Sequence, residues 1–149
     1  MIAVEAETSL AFGDGPFEDA WALLWVQDLL DGGWEAVRIA LAPTRETDRA
    51  LADDVETWAA CEVVAALRSP GPHLLPNDVA EWLSNNDTPA DLSPLAIQAL
   101  IRLARTSMLK DAMRSRHRIR TWLLGLHAIA RRLGGAVPRN LLPSEDVTS

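Results

Sequence analysis

The chain has 149 residues, of which 48% are hydrophobic and 23% charged, and its formal net charge is −7. This length is typical of one domain, and the composition excludes a disordered chain, which would combine low hydrophobicity with high net charge. A single cysteine excludes an internal disulfide, while an acidic N-terminus and short apolar runs predict a cytoplasmic protein without a membrane span.

Turn residues and helical spacing predict the regular structure in chain order. A Gly-Asp-Gly-Pro turn precedes the first helix, Gly32 and Gly33 end it, and Gly134 and Gly135 end the last one. We expect helices over residues 17–30, 34–41, 48–67, 76–85, 93–105 and 116–133, with a short turn over 107–113. The prediction is all-α: a compact single-domain bundle of about six to seven helices over residues 1–135, with a flexible C-terminal tail over residues 136–149.

The first predicted helix is apolar on all sides at Trp21 to Val26. It is either the central helix of the bundle or a helix with one exposed apolar side that docks a second copy or another protein. In the second case Trp21 and Trp25, one turn apart, are the interface candidates.

Glu62 is the polar residue that stands out in the third predicted helix. It shares a helical stripe with Val55 and Trp58, so its carboxylate is predicted to face the core. The structural interpretation is that it binds an arginine or the backbone N–H groups of the turn formed by Gly13, Gly15, Pro16 and Phe17. The functional interpretation is an acid or base in an uncharacterised enzyme.

Charge is divided unevenly along the chain. Residues 1–92 contain four basic and 18 acidic residues, a formal charge of −14, whereas residues 93–149 contain ten basic and three acidic residues, or +7. Opposite charges in one domain favour internal pairing. The alternative is a phosphate-binding patch in the basic segment, residues 114–120, whose four arginines are Arg114, Arg116, Arg118 and Arg120.

The spacing of the remaining reactive residues indicates no catalytic residue, cofactor or metal. The three histidines are far apart, no cysteine pair exists, and the glycines of the first turn match no phosphate-binding fingerprint. The helix neighbours of Cys61 offer no base that could form a thiolate. We therefore expect a protein that is not an enzyme and binds no metal.

Three sequence segments resemble the bacterial domain of unknown function 4259 family. They are residues 12–19 (FGDGPFED), residues 59–67 (AACEVVAAL) with Leu75, Pro76 and Trp82 following, and residues 107–110 (SMLK). A Trp-Gly pair is typical of the first segment in that family, and Phe12 replaces this tryptophan here. The resemblance implies a small helical bacterial protein and assigns no activity.

These observations favour a non-enzymatic protein-interaction module, for example an immunity-type partner of another bacterial protein. An acidic surface suits the inhibitor of a cationic nuclease toxin. The expected partner is another protein or a second copy of the chain, and no membrane contact is expected. Nucleic-acid binding through the basic segment and an enzyme that uses Glu62 are the alternatives.

Overall fold

The computed structural model describes residues 15–42, 50–68, 75–87 and 89–143, and these residues confirm the all-α bundle. The seven α-helices that it contains are α1 (Ala20–Gly32), α2 (Trp34–Leu41), α3 (Leu51–Arg68), α4 (Asn77–Ser84), α5 (Leu92–Arg105), α6 (Met108–Ser115) and α7 (Ile119–Arg132). Short 3-10 turns cover Pro16–Glu18 and Arg139–Leu141. None of these helices is long and apolar enough to cross a membrane.

The central helix is α3, which contacts α1, α2, α5, α6 and α7. From Val55 to Ala65 every side chain except that of Glu56 is buried, although these residues occupy all sides of the helix. Most of them are alanine or valine, whose small side chains allow neighbouring helices to approach closely. Placing the first helix at the centre is therefore wrong, because α1 exposes Leu23 and Leu24 to solvent.

Capping residues decide where the first two helices begin. Pro16 and Phe17 belong to a 3-10 turn, so α1 starts later than the predicted residue 17. Its N-cap is Asp19, whose Oδ1 accepts a hydrogen bond from the Trp21 N–H at 2.8 Å. Gly33, with φ 63°, separates α1 from α2, a conformation that costs glycine little.

Residues 107–113, predicted as a short turn, mostly belong to α6, and the structure corrects this expectation. Ser107 caps the helix by accepting the Lys110 N–H at 2.9 Å. The buried carboxylate of Asp54, on α3, accepts the Leu109 N–H at 3.2 Å. A cap supplied from 55 residues away leaves no local sequence pattern.

The α6 and α7 helices end in the same way with different residues. At the end of α7, Gly134 has φ 89° and the Gly135 N–H donates to the Ala130 carbonyl. At the end of α6, His117 has φ 59° and the Arg118 N–H donates to the Met113 carbonyl. In both cases a residue in the left-handed conformation ends the helix, and a backbone hydrogen bond that spans five residues follows. Only α7 uses glycine for this residue.

Part of the segment beyond residue 135 lies against the bundle. Val137 is buried, its N–H donates to His127 Nδ1 at 3.4 Å, and Leu141 and Leu142 contact the core. Residues 144–149 lie outside the described part of the chain. A flexible tail over residues 136–149 stays a prediction.

Candidate functional site

Glu62 lies near the middle of the central helix with 2% of its surface exposed. Its neighbours in the chain, Cys61 and Val63, are also buried. The counterion of the carboxylate is a protein side chain. The carboxylate Oε2 lies 2.7 Å from Nη2 of Arg132, the last residue of α7. The arginine that the sequence left unnamed is therefore Arg132, which belongs to the basic half of the chain.

The Glu62–Arg132 contact is an ion pair and not a well-aligned hydrogen bond. Among the residues that the structure describes, these two atoms are close but not aligned for a hydrogen bond, and Arg132 has further interactions within the protein. The Arg132 side chain is 11% exposed, so its guanidinium lies nearer the surface than the carboxylate does. The pair joins α3 to α7, and its strength comes mainly from charge attraction in a poorly solvated environment.

Burial limits what this pair can do chemically. A general acid or base must come within about 3 Å of a substrate proton, directly or through one water. With Glu62 2% exposed, a substrate could reach the carboxylate only if α7 moved away from α3. An enzyme that uses Glu62 therefore requires an opening motion, whereas a structural ion pair requires none.

The turn before α1 contributes a different buried carboxylate. Gly15 and Pro16 are buried and Phe17 is partly buried against the core, while Gly13 lies outside the described residues. Asp19 is fully buried, and its Oδ2 has no hydrogen-bond partner among the residues that the structure describes. Burial raises the pKa of Asp19, and this effect outweighs the lowering by the backbone N–H groups of α1 and by the charge of Arg116.

Of the two tryptophans of α1, Trp25 lies in the core and Trp21 at its edge. The solvent-exposed stripe of α1, which we call the α1 outer face, consists instead of Ala20, Leu23, Leu24, Gln27, Asp28 and Asp31. Leu23 is 49% and Leu24 71% exposed, and α1 contains no basic residue. This face therefore combines exposed apolar side chains with negative charge.

The basic segment does not form one continuous helix, since it spans the junction of α6 and α7. Arg114 is 61% exposed and lies 3.6 Å from Asp111 on the same helix. Arg116, Arg118 and Arg120 are each partly buried, and each has interactions within the protein. The four arginine side chains thus differ in their exposure to solvent. Phosphate binding by this segment stays a prediction.

Cys61 is packed in the core and offers no nucleophile. Its Sγ lies 3.5 Å from the Ala96 carbonyl of α5, and burial raises the pKa of the thiol well above its usual range. Within the described residues no three histidine, cysteine, aspartate or glutamate side chains form a group that could hold a metal ion.

Sequence reasoning missed several buried polar residues. Asp19 directly precedes an apolar helix, which is the usual signal of an N-cap. Asp54 and Thr57 gave no comparable signal, because their partners lie on other helices: the Thr57 hydroxyl donates to the Ala40 carbonyl of α2 at 2.7 Å. Arg102 similarly crosses from α5 and donates to the Leu41 carbonyl at 3.1 Å.

The comparisons with known proteins identify a family and leave the activity open. A family model described as "Domain of unknown function (DUF4259)" matches residues 11–123. No curated protein and no solved structure matches the chain.

Proposed function

The chain belongs to the DUF4259 family, whose function is unknown, and we propose that it is a protein-interaction module that docks a basic partner protein on the α1 outer face. The observation that carries the proposal is the 71% exposure of Leu24 one helical turn from Asp28. Leu23 and Leu24 are neighbouring exposed aliphatic side chains, and an exposed apolar patch bordered by polar residues is typical of a contact surface.

The acidic border of this face determines the kind of partner. Asp28 and Asp31 are exposed at four and seven residues after Leu24, on the same side of the helix, and Gln27 donates to Asp31 at 3.1 Å. No basic residue of α1 neutralises them. A cationic surface with a central apolar patch would complement both features and would associate faster at low salt.

An immunity-type role in the bacterial cytoplasm is the most concrete form of this proposal. The surplus of acidic residues, with a net charge of −7, suits a small protein that covers a cationic toxin.

The test is capture of a partner from the source organism by tagged protein at low and high salt. We expect one basic protein to be retained near stoichiometric amounts at low salt and less at high salt. Leu24→Gln and the double change Asp28→Lys with Asp31→Lys should each reduce capture at least about tenfold, as loss of a central contact does. All substituted side chains are exposed, so folding should be unaffected.

Control variants place similar changes elsewhere on the surface. Leu124→Gln alters an apolar side chain of α7 that is 46% exposed, and Asp87→Lys reverses an exposed charge after α4. Both controls should capture the partner as the wild type does. Recovery of the tagged protein alone, or equal capture by the α1 and control variants, would contradict docking on the α1 outer face.

A further inference from the structure

A groove of about 480 Å³ runs along the outer side of α5 next to the end of α2. Its apolar part is formed by Leu95 and Ile101 of α5 and by Leu41 of α2. Its volume is within the range of small-molecule sites in proteins, and the groove is open to solvent along one side. The groove is separate from the α1 outer face and from the Glu62–Arg132 pair.

The polar part of the groove carries positive charge. Gln98, Arg102, Arg105 and Thr106 complete its lining, and none of the described residues that line it is acidic. Arg105 is exposed, and its guanidinium makes no hydrogen bond or ion pair with the part of the protein that the structure describes. Five N–H donors therefore remain available at one end of an apolar groove.

Arginines at a helix C-terminus often stabilise the helix by binding its last carbonyls. Here other cations occupy that role. Arg102 donates to the Leu41 and Ala42 carbonyls at the end of α2, and Lys110 Nζ donates to the Arg105 carbonyl at the end of α5, at 3.1 Å. Each helix end carries only about half a negative elementary charge, so three full positive charges exceed both. The Arg105 guanidinium is thus not required to stabilise either helix end.

We propose that this groove binds an amphipathic carboxylate, such as a medium-chain fatty acid. The hydrocarbon chain lies on Leu95 and Ile101, and the carboxylate accepts two parallel hydrogen bonds from the Arg105 fork. Thr106, which follows Arg105 in the chain, supplies a further donor beside the head group. The groove and the α1 outer face share no residue, so binding in the groove does not require docking at α1.

The experiment is a calorimetric titration of the purified chain with decanoate below its micelle concentration. Three further probes separate the contributions: decyltrimethylammonium reverses the head-group charge, decanol removes the charge, and butyrate removes most of the chain. We expect saturable binding of one decanoate per chain and binding at least about tenfold weaker for each of the other three probes.

Arg105→Gln should weaken decanoate binding at least about tenfold and leave decanol binding unchanged. The matched control is Arg131→Gln, which removes an exposed arginine of α7 and should bind decanoate as the wild type does. Ile101→Asn is a second variant, expected to weaken decanoate and decanol alike. Both arginines are exposed, so unfolding is not expected to confuse the comparison.

Absence of saturable binding would overturn the proposal. Equal binding of decanoate and decyltrimethylammonium, or equal loss in the Arg105→Gln and Arg131→Gln variants, would also overturn it, because either result indicates adsorption to apolar surface or to net charge without a defined site.

Discussion

Removal of one member of the Glu62–Arg132 pair should destabilise the fold strongly, and the two members should not be equivalent. Glu62→Met leaves the Arg132 guanidinium without its carboxylate, but that side chain is 11% exposed and can turn towards water. Arg132→Met leaves a carboxylate that is 2% exposed and cannot do so. We expect losses of more than about 2 kcal/mol for Glu62→Met and about 3–5 kcal/mol for Arg132→Met.

The double variant separates the interaction energy of the pair from the cost of removing each charged side chain. Replacement of both charges by methionine removes the desolvation cost of each, and such replacements in other proteins are often neutral or stabilising. We therefore expect the double variant to be more stable than Arg132→Met alone. The coupling energy of the cycle should be at least about 2 kcal/mol.

The assay is urea unfolding followed by tryptophan fluorescence and circular dichroism on the four proteins. Trp58 and Trp122 have their ring centres 6.4 Å apart, between α3 and α7, and so report on the same helix contact. A coupling energy below about 0.5 kcal/mol would refute the argument, since contacting residues in a real network exceed that value. A larger loss for Glu62→Met than for Arg132→Met would refute the asymmetry.

The remaining predictions concern single residues. Cys61 should not react with a thiol reagent at pH 8 in the native protein and should react with one equivalent after unfolding, because it is fully buried and burial raises its pKa. Asp54→Ala should cost about 1–3 kcal/mol in urea unfolding, since the buried Leu109 N–H loses its acceptor. His117→Gly should stabilise by about 0.5–1 kcal/mol, because glycine adopts φ 59° without strain. Burial raises the pKa of Asp19 above 3.8 in the folded state, so the charged form opposes folding: wild-type stability relative to Asp19→Asn should be highest near pH 3 and fall as the pH rises through the raised value.

Each of these four measurements has a clear negative result. Rapid labelling of native Cys61 would show that the core opens easily. An unchanged unfolding midpoint for Asp54→Ala would remove the cap of α6 as a stabilising contact. Loss of stability in His117→Gly would mean that the imidazole contributes more than the strain costs. A constant difference between Asp19→Asn and wild type from pH 3 to pH 7 would contradict the raised pKa.

Much of the fold follows from local sequence, and the differences arise where one helix depends on another. Glycine and proline placed most helix boundaries within a few residues, because they act on their own segment of backbone. The α6 helix was predicted as a turn because it has only two buried apolar residues, Leu109 and Met113, and because Asp54 caps it from α3. A contact between residues distant in sequence has no periodicity that could reveal it.

The central position of α3 was missed for a related reason. Periodicity assigns one apolar stripe to this helix, but its alanines and valines are small enough for neighbours to cover every side. Large apolar residues on all sides of α1 were a stronger signal, yet Leu24 is 71% exposed. The stripe that contains Trp58 indicates that Glu62 faces the core, where the structure places it. The identity of Arg132 as its partner could not be read from the spacing of either helix.

The buried polar side chains of α3 explain how so uniform a helix can fix the positions of its neighbours. Uniform apolar packing specifies a single arrangement poorly, so apolar packing alone would leave the positions of the neighbouring helices less well defined. Thr57, Asp54 and Glu62 each form a directional or charged contact with a different neighbour: α2, α6 and α7, respectively. Sliding of any of these helices would leave a buried polar group without its partner, which is costly in a core.

The α1 outer face and the α5 groove lie outside these contacts. Substitutions there should change binding without changing the fold, whereas substitutions at the three polar residues should change stability first, and this separation makes both binding proposals testable with folded variants.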